Sequence, residues 1–244
     1  MRKVLCSIGA GPHQALLALT RATFEAYAQR HGYDLVLHTR ALDQDRPAAW
    51  SKIRLLRQLL SRYDLLLWVD ADAVIVDHEH DIAERLEQDK FFYLVEHQYT
   101  GQQLPNTGVL MVRACDQADA LLSRVWKSTD LIYHHWWENA AVMRVLGYEP
   151  TLSRLRRPTR LPDGVKLLDR AWNSIPEDPS LEPKIKHYPG RPVAERLRRM
   201  QDDVRQFWRR AGLQDIAARD RAADEALPES ALTEEAIADV RSAC

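Results

Sequence analysis

The sequence lacks the features that would place it in several special classes of protein. Its 244 residues include only three cysteines, Cys6, Cys115 and Cys244, and no Cys-x-x-Cys pair. An odd, scattered set of this kind argues against a disulfide framework or a structural zinc site, and it suits a reducing compartment. The formal net charge of −1 supplies no overall field for binding nucleic acid.

Long apolar runs are also missing. No window approaches the roughly 18 consecutive apolar residues of a membrane-spanning helix, so we expect no such helix. The opening MRKVLCSIGAG has too short an apolar run for a signal peptide. With 45% apolar and 28% charged residues, the composition is ordinary for a globular protein. We therefore predict a soluble, cytoplasmic protein.

Short apolar strands alternate with helices in the first half of the chain. VLCSIG and YDLVLH predict strands, and the helix between them ends near His31, with Gly32 after it. FFYLVE and TGVLMVR predict two more strands, Asp116 is placed to cap a helix, and WENAAVMRVLG predicts another helix. A further helix is predicted by apolar residues at three- and four-residue spacing, namely Trp50, Ile53, Leu56, Leu60 and Tyr63. This order predicts an α/β protein with a parallel sheet covered by helices on both faces.

The second half of the chain changes character twice. Residues 150–190 are rich in proline and predict loops with two short strands, VKLLD and PKIKHY. From Arg191 the chain becomes helical and basic, and after Leu213 it becomes alanine-rich and acidic. We therefore predict a main domain over 1–190 and a charged helical extension over 191–244. The basic helix, with Phe207 and Trp208, is compatible with peripheral membrane contact or self-association, but the acidic continuation favours a helix pair closed by internal salt bridges.

The stretch LLLWVDADAVIV carries two acids, Asp70 and Asp72, at the end of the most apolar strand. Open α/β sheets place their ligand sites at this end of their strands. Oxygen ligands suit Mg²⁺ or Mn²⁺, and two carboxylates leave coordination positions open for phosphate oxygens. A capped turn with one solvated acid would explain the same tripeptide. DADAV also fits the Asp-x-Asp-x-Val string of haloacid-dehalogenase phosphohydrolases, but their nucleophile follows the first strand.

Several segments together resemble a known family. WSKIRLLRQLLSRYDLLLWVDADAVIVD is similar to the core of GT-A glycosyltransferase family 34, the galactosyl- and mannosyltransferases of fungi and plants. Further similar segments follow in the family's order: NTGVLMVR, WWENAAVMRVL, WNSIP and IKHYPG. The resemblance covers roughly residues 3–190. It implies a GT-A catalytic domain with a mixed sheet flanked by helices.

The resemblance also implies the ligands of a metal ion, Mn²⁺ or Mg²⁺. Asp70 would contact the ribose or the metal, and Asp72 would be the firmer ligand. His187 would be the third ligand, since neutral imidazole suits Mn²⁺; a hydrogen-bonded histidine that closes a strand is the structural alternative. Lys52 would face the nucleotide, although a lysine on an amphipathic helix is commonly solvated.

The remaining predicted site residues would surround the donor sugar and its diphosphate. Asn106 would bind sugar hydroxyls, and Gly108 would let the backbone approach the sugar. Glu138 is predicted as a sugar contact, a nucleophile or simply an acid at a helix start. Asn139 stands where the family has glutamine, so a donor contact would differ. Gly190 belongs to the closing His-x-x-Gly segment, and Arg191, which replaces the family's cysteine, would neutralise phosphate.

The function implied is transfer of a sugar from a UDP- or GDP-sugar to an acceptor hydroxyl, with retention of anomeric configuration. The sequence does not identify the acceptor. HHWW (His134–Trp137) would stack on a sugar or serve as core. A non-catalytic nucleotide- or sugar-binding module of the same fold is the main alternative, and the phosphohydrolase is a weaker one.

Overall fold

The computed structural model describes residues 1–99, 101–150 and 155–210 of the chain. Five helices occur in the described part: α1 (His13–His31), α2 (Ser51–Leu59), α3 (Asp116–Trp126), α4 (Trp137–Val145) and α5 (Val193–Arg210). The strands in this part are β1 (Lys3–Ile8), β2 (Tyr33–His38), β3 (Leu65–Val69), β4 (Ala73–Ile75), β5 (Phe92–Tyr99), β6 (Gln102–Arg113), β7 (Glu149–Pro150), β8 (Leu155–Arg156), β9 (Val165–Leu168) and β10 (Ile185–His187).

The main sheet has six strands in the order β2-β1-β3-β6-β5-β9. The predicted parallel arrangement holds for β1, β2 and β3 and for the pair β5 and β9, but β6 runs antiparallel to both of its neighbours. The expectation of a wholly parallel sheet is therefore wrong, and the mixed sheet implied by the family resemblance is confirmed. The carboxyl ends of the five other strands lie at one edge, where β6 begins.

Helices cover both faces of this sheet. Along β3, Leu65, Leu67 and Val69 pack on the side of α1 and α5, whereas Leu66 and Trp68 pack on the side of α2, α3 and α4. A strand buried on both faces reads as a continuous apolar run, which is why LLLWV shows no alternation.

The helix boundaries follow local signals with two exceptions. Gly32 ends α1 in the left-handed conformation, at φ 68°, as its position predicts. Asp116 is the first residue of α3 rather than its cap, because Cys115 occupies the cap position. The second helix ends at Leu59, so Leu60 and Tyr63 follow it instead of belonging to it.

The basic segment predicted after Arg191 forms α5, which packs against α1. Phe207 is buried and its ring lies 4.3 Å from that of His78, so it belongs to the core and is not available for a membrane surface. The acidic continuation, on which the predicted helix pair depends, lies outside the described residues. Within the described ranges, no helix combines the length and apolar character needed to cross a membrane.

Candidate functional site

The two aspartates lie where β3 ends. Asp70, Ala71 and Asp72 form the connection between β3 and β4, so the geometry of this connection sets their positions. The Asp70 N–H donates to the Gly108 carbonyl at 2.8 Å, and the Ala73 N–H donates to the Asp70 carbonyl at 3.0 Å. The turn is thereby held between two strands, and its carboxylates are positioned at the sheet edge.

A short two-stranded ribbon brings His187 to this turn. β10 pairs antiparallel with β4, with His187 opposite Ala73. The His187 Nε2 atom lies 3.3 Å from Asp72 Oδ1 and 3.8 Å from Asp70 Oδ2. One potential ligand atom from each of these three residues lies within 4.8 Å of the other two. The structure therefore brings together the three predicted metal ligands, although His187 follows Asp72 by 115 residues in the sequence.

Lys52 lies on the other side of Asp70 and is buried. Its ammonium group lies 3.0 Å from Asp70 Oδ1 and 2.8 Å from Glu138 Oε1, and it donates to the Thr107 carbonyl at 3.0 Å. Burial alone would lower the pKa of Lys52, but the two carboxylates outweigh it and hold that pKa above its usual range. Lys52 is therefore a charged, structurally enclosed link between Asp70 and Glu138, not a solvated surface lysine.

Glu138 lies in the first turn of α4, close to the helix start predicted for it, and is buried beside Lys52. Burial raises the pKa of Glu138, and the nearby Asp70 carboxylate adds to that rise, so Lys52 does not fully offset it. The next residue, Asn139, accepts from the Thr107 N–H at 3.0 Å and donates to the Pro105 carbonyl at 3.2 Å. Both residues thus contact Thr107 in the Asn-Thr-Gly segment of β6.

The Asn-Thr-Gly segment occupies an irregular part of β6. Leu94 pairs with Leu110 and Val95 pairs with Asn106, so residues 107–109 have no partners in β5. Asn106 Oδ1 accepts from the Gly108 N–H at 2.8 Å. The space in front of Gly108 holds the His187 ring, which a Cβ would overlap. The predicted approach of a sugar to this glycine stays a prediction.

Asn173, which the sequence did not single out, determines how His187 is presented. Its Nδ2 donates to Asn106 Oδ1 at 2.9 Å, and its Oδ1 lies 3.0 Å from His187 Nδ1. Because an amide oxygen only accepts, Nδ1 of His187 carries the proton and Nε2 faces the aspartates. The sequence signal was available, since Asn173 lies in the WNSIP segment that resembles the family.

Arg191, which the sequence predicts to neutralise phosphate, forms ion pairs within the protein, whereas Arg196 contacts Asp72. Arg191 pairs with Glu177 at 2.5 Å and Glu195 at 2.8 Å. Arg196, one turn into α5, places Nη1 2.9 Å from Asp72 Oδ2. The same Nη1 lies 2.9 Å from Nε2 of His13, at the start of α1. Sequence reasoning missed Arg196 because the basic segment offers seven arginines at no distinctive spacing.

The other predicted residues near the site are placed as follows. Gly190 lies in a turn after β10, with φ 68°, a conformation that favours glycine. Of the two tryptophans at the start of α4, Trp136 packs against the core, whereas Trp137 is 41% exposed and has a left-handed φ of 43°. The HHWW segment thus supplies one core residue and one exposed aromatic residue.

The cluster fits a divalent cation. Nε2 of a neutral His187 and two carboxylate oxygens converge on one space, and such electron-rich atoms repel unless a cation or proton lies between them. Burial raises the pKa of Asp72, but Arg196 and the His187 ring, when Nε2 carries a proton, outweigh it and hold that pKa well below its usual range. Three carboxylates, of Asp70, Asp72 and Glu138, face two cationic side chains, Lys52 and Arg196, which leaves one negative charge for an ion to balance. Oxygen and imidazole donors are those that Mn²⁺ accepts, and Mg²⁺ accepts the oxygens.

Comparison with known sequences gives a family match in the first part of the chain. Residues 13–92 match the model of the galactosyl transferase GMA12/MNN10 family. Probable glycosyltransferase 5 of Oryza sativa subsp. indica is 31% identical over 106 residues, which cover 39% of this chain and 23% of the rice protein. Probable glycosyltransferase 4 of the same plant is 35% identical over 75 residues, 30% of this chain and 15% of the relative. The match thus spans less than a quarter of either relative's length.

Comparison with solved structures extends over most of the chain. A glycosyltransferase involved in the glycosylation of the major capsid of PBCV-1 superposes with a TM-score of 0.65 at 16% identity, covering 83% of this chain and all of that one. The galactosyltransferase LgtC, solved with donor and acceptor sugar analogues, gives a TM-score of 0.53 at 11% identity, covering 82% and 94%. GlyE of Streptococcus pneumoniae gives 0.52 at 12% identity, covering 88% and 65%. The chain therefore has the fold of the GT-A glycosyltransferases and resembles the galactosyl transferase GMA12/MNN10 family.

Proposed function

We propose that the protein is a metal-dependent glycosyltransferase that moves a hexose or pentose from a nucleoside diphosphate sugar to an acceptor hydroxyl. The observation that carries the proposal is the convergence of Asp70, Asp72 and His187 at the carboxyl edge of a GT-A sheet. A divalent ion held by these three residues, Mn²⁺ or Mg²⁺, would supply Lewis-acid charge neutralisation for the departing diphosphate.

The two cationic side chains beside the cluster, those of Lys52 and Arg196, make different contacts. Lys52 holds Asp70 and Glu138 in place from within the core. Arg196 holds Asp72 through Nη1, and its Nε donates to the Arg191 carbonyl at 2.5 Å. Neither N–H of its Nη2 has a partner among the described residues, and guanidinium groups suit phosphate oxygens. We therefore assign the contact with the donor diphosphate to Arg196 in place of Arg191.

The donor sugar would lie beside Asn106, Gly108, Glu138 and Asn139, and the nucleotide beside Asp70. We propose transfer with retention by a front-face route, in which the leaving phosphate oxygen takes the acceptor proton. Glu138 is the obvious carboxylate for a double displacement, but its Oε1 is held by Lys52 and receives the Thr107 hydroxyl at 3.3 Å. A side chain so engaged and buried is a poor nucleophile, which favours the front-face route.

The metal dependence is tested by thermal shift with UDP and GDP, each with and without Mn²⁺, because ligand binding raises the melting temperature by mass action. We expect a shift only when metal and nucleotide are both present, and we expect Asp72→Asn to abolish it. Asp45→Asn, an exposed acid outside the site, is the matched control. An equal nucleotide shift without metal, or in Asp72→Asn, would reject the assignment.

Turnover separates an enzyme from a binding module of the same fold. A glycosyltransferase slowly hydrolyses its donor when no acceptor is present, because water then takes the acceptor's place. We expect slow release of UDP or GDP from the matching nucleotide sugar with Mn²⁺. Binding with no release over long incubation would identify a non-catalytic module.

A further inference from the structure

A polar cavity of about 280 Å³ lies at the same sheet edge as the aspartates. Its walls come from the ends of β5 and β9, the second residue of β6, and Asp178 in the loop before β10. One short segment, Arg170–Asn173, connects the cavity to the cluster of predicted metal ligands. Arg170 lines the cavity, and Asn173 forms hydrogen bonds with both His187 and Asn106. The cavity and the cluster are thus held by the same part of the fold.

The lining of the cavity indicates the class of ligand. Among the described lining residues, the single apolar member is Leu168, and the side-chain amides come from Gln98 and Gln103. Sites for apolar molecules are walled mainly by hydrophobic side chains, whereas amides and carboxylates hydrogen-bond to hydroxyl groups. The volume lies just below the range of about 300–1,000 Å³ usual for small-molecule sites, so it suits one sugar ring.

The charges of the lining argue against an anionic ligand. Three carboxylates, those of Glu96, Asp169 and Asp178, occur among the described lining residues, and Arg157 pairs with Glu96 from outside the lining. The one described cation within the lining is Arg170. That cation already forms an ion pair with Asp178. A phosphate or uronate would therefore meet net repulsion, while a neutral polyhydroxyl ligand would not.

His97 lines this cavity and has a hydrogen-bond acceptor that is unused among the described residues. The residue is 1% exposed, and its Nδ1 lies 3.4 Å from Asp178 Oδ2. Burial lowers the pKa of His97 to about 4 despite the Asp178 carboxylate, so the ring is neutral near pH 7, with its proton on Nδ1. Its Nε2 is buried and has no hydrogen-bond partner among the described residues. Asp178 is itself held by the Gln98 N–H at 2.9 Å, so the histidine has a firm support.

We propose that this cavity binds the acceptor substrate, a neutral sugar, with His97 Nε2 accepting a hydrogen bond from one of its hydroxyl groups. The inference rests on the proposed function, since it names the acceptor class of that reaction. The nucleotide would occupy the β1 and β2 side of the sheet edge, and the acceptor the β5 and β9 side. In this proposal His97 contacts the acceptor sugar directly, and Asp178 holds the His97 ring in position.

The test uses saturation-transfer NMR with methyl glucoside, methyl galactoside and methyl mannoside, on protein containing Mn²⁺ and UDP. Gln103→Trp fills the cavity from an exposed strand position, and His97→Phe removes the acceptor nitrogen while keeping a ring. Gln29→Trp, on the exposed side of α1, is the control. We expect at least one glycoside to bind wild type and the control, and binding to weaken tenfold or more in both cavity variants. UDP thermal shifts should stay unchanged in all three.

Four results would overturn the acceptor assignment. They are failure of every neutral glycoside to bind wild type, equal glycoside binding in Gln103→Trp, an equal loss in Gln29→Trp, and binding of glucose 6-phosphate in preference to the neutral sugars. The proposed function fails separately, if wild type shows no metal-dependent thermal shift with either UDP or GDP. Because Gln103→Trp tests the cavity without His97, misfolding of the buried variant would not obscure the result.

Discussion

Two buried histidines at one edge of the sheet are held in the same way but face different surroundings. In both, Nδ1 is held by an oxygen acceptor, that of Asn173 for His187 and that of Asp178 for His97. Nε2 of His187 faces two carboxylates, whereas Nε2 of His97 has no partner among the described residues. In the proposed function, this shared arrangement leaves Nε2 of His187 to bind a cation and Nε2 of His97 to accept from a hydroxyl group.

The His187 side depends on buried charge, so breaking it should have the largest effect. Lys52→Met leaves Glu138 buried without its cation and removes the main partner of Asp70. We expect the free energy of unfolding to fall by about 3–5 kcal/mol, measured by urea denaturation. On the His97 side, the cation that pairs with Asp178 is Arg170, whose side chain is half exposed, so its removal should have a smaller effect.

Two companion variants sharpen the Lys52 prediction. Arg57→Met, on the exposed side of the same helix, removes a surface pair with Asp119 and should change stability by about 0.5 kcal/mol or less. Adding Glu138→Gln to Lys52→Met should restore part of the loss, because it removes the unpaired buried charge. A double variant no more stable than Lys52→Met would show that the ion pair is not the cause.

The His187 side was largely predictable from the sequence, because its chemistry lies in a short run of letters. DAD follows an apolar run, and His187 and Asn173 lie in segments that resemble the family in order. The β4–β10 ribbon that joins them was not visible, since three-residue strands carry no periodic signal. Nor was the antiparallel β6, whose apolar run fits either direction.

The His97 side could not be predicted, for a physical reason. His97 lies within an ordinary strand pattern, and its partner Asp178 is 81 residues away in a proline-rich loop. Only the tertiary structure shows that His97 contacts Asp178 and that Nε2 of His97 has no partner among the described residues. Arg196 was hidden in a similar way, because the helical face that meets Asp72 is set by the packing of α5 on α1.

A substitution at Gly108 would disturb His187 directly, because the two residues are in contact. A Cβ at this position would overlap the imidazole ring, so Gly108→Ala should displace His187 and lower stability by about 1–3 kcal/mol. We also expect weaker Mn²⁺ binding, measured by electron paramagnetic resonance of the free ion. Gly11→Ala is the control: its φ of 57° is strained for alanine, but nothing lies within 4 Å of the new methyl group. Retained Mn²⁺ affinity in Gly108→Ala would argue against His187 as a ligand.

A variant of Arg196 tests whether this side chain, beside the predicted metal ligands, binds a diphosphate. Arg196→Gln removes a charge-assisted donor, so we expect UDP to bind about 10-fold more weakly, while uridine, which has no phosphate, binds as before. Isothermal titration calorimetry with Mn²⁺ present measures both. Arg199→Gln, an exposed arginine of the same helix, should leave both affinities unchanged. Equal losses for UDP and uridine would show that Arg196 supports the fold and not the phosphate.

The smallest predicted effect concerns His97 and pH. Its folded pKa of about 4 lies below the unfolded value of 6.5, so the unfolded chain binds more protons between these values. Stability from this group is complete above pH 6.5 and falls as pH drops toward 4. Between about pH 7.5 and about pH 5.5 we expect a loss of about 1 kcal/mol in wild type. His97→Phe cannot bind this proton, so urea unfolding at the two pH values should show that much less pH dependence. An unchanged slope in the variant would mean that the His97 ring is protonated in the folded protein, and its Nε2 would then be a donor and not the acceptor that the comparison with His187 assigns.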